Sequence, residues 1–131
     1  MKSRGQAALE LALCLPVLVA LALGGVALAR VASAKSGLEA AAQAAAAAAV
    51  RSHDQAEAAR VAQAEFDLVI PLYPVSGASM RLGPSGFGRG SAWSVTTSGT
   101  ADLSLIPIPG LPLRVPLQAT AWAEVEPWRS R

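Results

Sequence analysis

Chemistry-bearing side chains are scarce in this 131-residue chain, which holds one histidine, one cysteine, one tyrosine and two phenylalanines. A lone cysteine cannot close an internal disulfide or build a C-x-x-C metal site, and Cys14, set in an apolar run, reads as a small buried hydrophobe. His53 has Asp54 beside it and Glu57 four positions on, but no second histidine or nearby cysteine completes a metal set. These residues therefore read as a solvated helix face, with Glu57 and Arg60 spaced as an i,i+3 pair. No two carboxylates sit in a pocket-like apolar motif. Catalytic residues, cofactors and metals are accordingly not expected, and the chain does not read as an enzyme. A basic block is missing too: the 11 Lys and Arg residues are scattered from Lys2 to Arg131, and aromatic residues make up only 5% of the chain. A net charge of +2 in that arrangement argues against a nucleic-acid partner.

Charge is absent altogether between Leu11 and Ala29, a run about as long as a helix needs to cross a hydrocarbon core. Residues 6–30 are expected to form a single transmembrane helix in contact with membrane lipid. Lys2 and Arg4 precede the run and Ala32-Ser33-Ala34 follows it, which also suits a secretory signal cut near Ala34 ahead of a secreted or membrane-anchored binding protein. A plain single-span anchor is a further reading. Neither explains Glu10, a carboxylate at the edge of a bilayer helix, which costs a few kcal/mol unless partnered and is by default a functional residue. Pro16 removes a backbone donor early in the helix and is expected to bend it. Gly24 and Gly25 form small-x-x-x-small pairs with Ala20 and Ala29 that let helix backbones approach closely.

At Gly5-Gln6-Ala7-Ala8-Leu9-Glu10 the chain resembles the processing motif of type IV prepilins: a basic leader ending in Gly, then a mature segment with Glu as its fifth residue. The continuation from Glu10 through Leu15-Pro16 to Arg30 is similar to TadE-like minor pseudopilins of the tight-adherence (Flp) pilus family. That resemblance implies a leader at residues 1–5, removed by a prepilin peptidase that cuts after Gly5 and leaves Gln6 as the new N-terminus. It further implies that Glu10 neutralises the N-terminal amine of a neighbouring subunit inside an apolar filament core, where an unpaired charge is expensive. The implied protein is a structural subunit acting in pilus assembly, initiation or capping. Its implied partners are other pilin or pseudopilin subunits and the pilus assembly platform. The implied location is the cytoplasmic membrane, with the N-terminus in the cytoplasm, and from there an extracellular pilus. Lys2 and Arg4 favour that orientation, although Arg30 and Lys35 beyond the span nearly balance the count.

Proline is absent between Val31 and Ile70, and Gly37 is the only breaker there. Ala40 to Val50 is almost pure alanine, the best helix former. Residues 31–68 are therefore expected to carry the helix on outside the membrane. A rod from Gln6 to Phe66 would be about 90 Å long, with Ser36-Gly37 as its candidate break.

At Pro71 the texture changes to proline and glycine between short alternating runs, so residues 69–131 are expected to form a small β module. Ser79 to Gly83 is a short candidate strand. Trp93, Val95 and Thr97 alternate with polar residues, as do Ala101, Leu103 and Leu105. Leu113, Val115, Leu117, Ala119, Ala121, Ala123 and Val125 form the longest period-two series, with Arg114, Gln118, Thr120, Glu124 and Glu126 opposite. Trp122 and Trp128 fall on the polar side. The Gly83–Gly90 loop lacks the Lys-Ser/Thr pair and following helix of a phosphate cradle. The expected fold is α+β and pilin-like: a long N-terminal helix, transmembrane in its first half and alanine-rich in its second, packed by three or four antiparallel strands.

Overall fold

The computed structural model describes residues 2–83 and 92–124. Helix α1 (Lys2–Ala49) and helix α2 (Gln55–Val69) are followed by a single 3-10 turn at Ile70–Leu72 and by strands β1 (Val75–Leu82), β2 (Ala92–Asp102) and β3 (Arg114–Glu124). The strands make one antiparallel sheet in the order β1-β2-β3. The long helix and small antiparallel sheet of an α+β fold are both present, with α1 lying against the sheet.

The helical tract is not one rod. Helix α1 passes without interruption through Pro16 and Ser36-Gly37 and ends instead at Ala49. The last turn tightens there, with Arg51 and Ser52 donating to the carbonyls of Ala48 and Ala49 at 3.1 and 3.2 Å. Asp54 then takes an extended conformation and caps α2, its Oδ1 accepting from Glu57 N at 2.7 Å. The Glu57 carboxylate reaches back to His53 N at 2.8 Å. This reciprocal arrangement resembles a capping box and restarts the helix in a new direction. Glu57 is thus engaged with backbone rather than with Arg60.

The reversal follows from the alanines. A straight alanine rod in water buries nothing. When α2 turns back, Ala58 and Ala62 close against Ala42, Ala45, Ala46 and Ala49, and all six become fully or almost fully buried. Trp93 and Val95 of β2 cover the same cluster from the sheet side. From Ala41 to Ala49 only Gln43 is exposed, so this stretch is apolar and enclosed on every face but the one Gln43 occupies. The large side chains fully buried in the head are Trp93, Leu38, Val95 and Thr97, and the apolar ones contribute about 1.5–3 kcal/mol each by leaving water.

Gly37 is not a breaker but a point of close approach. A Cβ at this position would run into the Tyr73 ring. Thr97 pins the two layers together at the next residue: its hydroxyl donates to the Leu38 carbonyl at 2.9 Å, satisfying a buried polar group on the sheet's inner face.

Strand β2 is one strand, not two. Alternation runs from Trp93 to Ala101 through Gly99, whose missing side chain admits Val75 and Leu38. Its register on β3 is regular from Ala92↔Glu124 to Asp102↔Arg114. Strand β1 is longer than Ser79–Gly83, and a bulge between Ser76 and Ser79 accommodates Gly77 at φ +60°. The outer face is hydroxyl-rich: Ser79 and Ser98 share a hydrogen bond at 2.8 Å, Thr96 and Thr120 at 3.3 Å, and Thr100 donates to the Ser76 carbonyl at 3.0 Å. Trp122 lies 71% exposed beside them. Most of the Gly83–Gly90 loop, together with Val125, Glu126 and Trp128, falls outside the described residues.

Candidate functional site: the exposed half of the long helix

Among the described residues, one helix is long and apolar enough to cross a membrane, with a mean hydropathy of 2.6 over its most apolar stretch. Its two halves share an apolar composition and differ in surroundings. Every residue from Ser3 to Ala22 is exposed, whereas Ala34, Leu38, Ala41, Ala42 and Ala45 are wholly buried. Leu11, Leu13, Leu21 and Leu28 are each about two-thirds or more exposed on a helix whose first half no other part of the described chain covers. So large an uncovered apolar surface is not a water-facing surface; it needs lipid or other helices around it.

The residues singled out in the sequence all lie on this bare half or at its upper end. Gly5 and Gln6 are in the first turns, and a Cβ on Gly5 would meet nothing within 4 Å. Glu10 is exposed and makes no hydrogen bond or ion pair among the described residues. Pro16 is exposed within an unbroken helix. Gly24 and Gly25 likewise face open space, so any close packing they permit is with a helix outside this chain. Cys14 is free and exposed rather than packed, because nothing in the described chain covers its turn.

The span ends in a charged layer. Arg30, half-buried, donates to the Asp102 carbonyl at 3.3 Å. Asp102 sits opposite Arg114 in the β2–β3 register, and its carboxylate accepts from Ser104 N at 2.9 Å. The Ser104 hydrogen bonds, aided by Arg114 and Arg30, hold that carboxyl below the usual carboxylate range. Farther up α1, Lys35, Glu39 and Gln43 line an open groove of about 630 Å³ against Gln118–Trp122 of β3, one of the sheet's two edge strands. Among the described residues no cluster of His, Cys, Asp and Glu is placed to hold a metal ion.

These features define a chain with one candidate membrane helix whose outer half is the core of an α+β head. Residues 5–47, nearly the whole of α1, match the family model described as TadE-like protein. No curated protein and no solved structure matches the chain.

Sequence reasoning missed the Asp54/Glu57 cap, although the Asp-x-x-Glu spacing was a usable signal. It also gave no hint of the Arg30–Asp102–Arg114 layer, whose members are 72 and 84 residues apart from Arg30 and meet only through the sheet.

Proposed function

We propose that this chain is a minor pseudopilin of a tight-adherence pilus or related secretion apparatus: a structural subunit acting in pilus assembly, initiation or capping. In this reading a prepilin peptidase cuts after Gly5 on the cytoplasmic face, and Gln6 becomes the first residue of the mature helix. Glu10 then meets the freed amine of a neighbouring subunit when the apolar half leaves lipid and enters a bundle of like helices. The observation that carries the reading is the unpartnered Glu10 on an otherwise bare apolar helix that continues unbroken into the head. A carboxylate kept in such a place needs a cation from outside the chain. Gly24 and Gly25, open on their helix faces, suit the same helix packing with other pilin or pseudopilin subunits.

A secretory signal cut near Ala34 fits the packing poorly. Ala34 is wholly buried in mid-helix, and such a cut would remove Ala27 and Arg30, both of which hold the head. Mass spectrometry of the mature protein decides between them: an N-terminus at Gln6 is expected, whereas Lys35 or Met1 would overturn the proposal. In the same strain a Glu10→Ala chain is expected to be cleaved yet left out of assembled pili. Incorporation at the wild-type level would remove the role given to Glu10.

A further inference from the structure

The connection between β2 and β3, residues 103–113, reads Leu-Ser-Leu-Ile-Pro-Ile-Pro-Gly-Leu-Pro-Leu and carries no charge. It does not stand away from the molecule. Leu103 and Ile106 are buried against Ala27 of α1, with Leu23, Val31, Ile108, Leu111 and Val115 packed around them. Leu23 lies about 10 Å down the helix axis from Arg30. The loop therefore reaches down beside the last two turns of the apolar run, below the layer formed by Arg30, Asp102 and Arg114. Its free surface is also apolar: Leu105 is 77% exposed and Leu113 64% exposed.

The backbone of this loop is unusually independent of water. Three of its residues are prolines, which have no N–H to satisfy. Five more donate within the chain: Leu103 to the Leu113 carbonyl, Ser104 to the Asp102 carboxylate, Ile106 to Leu103, Ile108 to Ile106 and Leu111 to Ile108, at 2.8–3.3 Å. Irregular backbone is ordinarily excluded from hydrocarbon because its amides go unpaired there. Here eight of the eleven residues leave no N–H to pair, which lowers that penalty for a segment seated shallowly at the interface.

We propose that residues 103–113 are a second membrane contact, a wedge that enters the lipid of the leaflet from which α1 emerges and seats the head on the bilayer. Arg30 and Arg114 then lie at phosphate level, with Leu105 and Leu113 beneath them among the upper acyl chains, at the shallow depth typical of interfacial segments. The occupant is lipid rather than protein because the charge-free loop packs directly on Leu23 and Ala27, inside the apolar run of α1, and Arg30 borders both at the end of that run. The inference rests on α1 crossing the membrane, and its test separates the two.

In a Cys14→Ala background, single cysteines at Leu105, Leu18 and Arg81 would carry an environment-sensitive fluorophore in vesicles of phosphatidylethanolamine and phosphatidylglycerol. Arg81 is exposed on the head and serves as the aqueous reference. The Leu105 label is expected to be blue-shifted, severalfold less quenched by iodide than the Arg81 label, and quenched by lipids spin-labelled high on the acyl chain. If it matches Arg81 while Leu18 is dry, the span stands and the wedge falls. If Leu18 is also wet, both fall. Protection from iodide without quenching by lipid means a protein occupant and also overturns the proposal. Leu113→Cys repeats the reading at a second side chain outside the core.

Discussion

Asp102 shows how one residue can join three parts of the head. It accepts from Ser104, faces Arg114 across the ladder and has Arg30 donating to its own carbonyl, so one residue joins the sheet, the connecting loop and the helix. Because its carboxyl is held below the ordinary value of about 3.9, the ionised form favours the folded head. That contribution is complete above the ordinary value and is lost as pH falls through the lowered one. NMR titration is expected to place the Asp102 carboxyl below ordinary aspartate. An Asp102→Asn chain is expected to be less stable than wild type near neutrality, with the gap closing below about pH 4. A titration at or above the ordinary value would contradict this account.

At the scale of elements, helix α2 exists as a separate piece because of its cap. Removing an aspartate N-cap typically costs about 1 kcal/mol. The Asp54→Ala chain is expected to lose about that much, visible as faster amide exchange through the first turns of α2 with little change in the middle of β2. Exchange rising equally in both would mean that the cap steers folding of the whole head. The elements also show what a single sequence can and cannot reveal. The charge-free run, the alanine tract and the alternations of β2 and β3 are legible because each is a local period. The reversal at Arg51–Asp54 is harder to see, since on a helical wheel Asp54 and Glu57 look like any solvated face. Gly37 reads as a breaker because its partner, Tyr73, lies 36 positions away and only the folded chain brings the ring over it. The β2–β3 connection reads merely as a turn until its leucines are found packed on Leu23 and Ala27. Gly5, Gln6 and Glu10 are proposed for processing and assembly from their order in the sequence, and in the fold they lie along the first turns of one helix rather than converging in a cleft.

The whole molecule divides not by domain but by solvent. One half of α1 is bare over Ser3–Ala22 and the other is wrapped by α2 and the sheet. Full-length protein is expected to stay in the membrane pellet after an alkaline carbonate wash, and a chain lacking residues 2–22 to appear in the supernatant. Release of the intact chain would exclude a bilayer-spanning anchor.

Because the helix whose first half is bare and apolar runs unhinged into the head as its central beam, from Ala34 to Ala49, the two halves cannot swivel against each other. Any pulling force applied at the N-terminal end is delivered straight into the alanine core and shears its long contact with the sheet, rather than peeling strands off one at a time. A subunit built this way would behave under tension as a bolt, not as a tether.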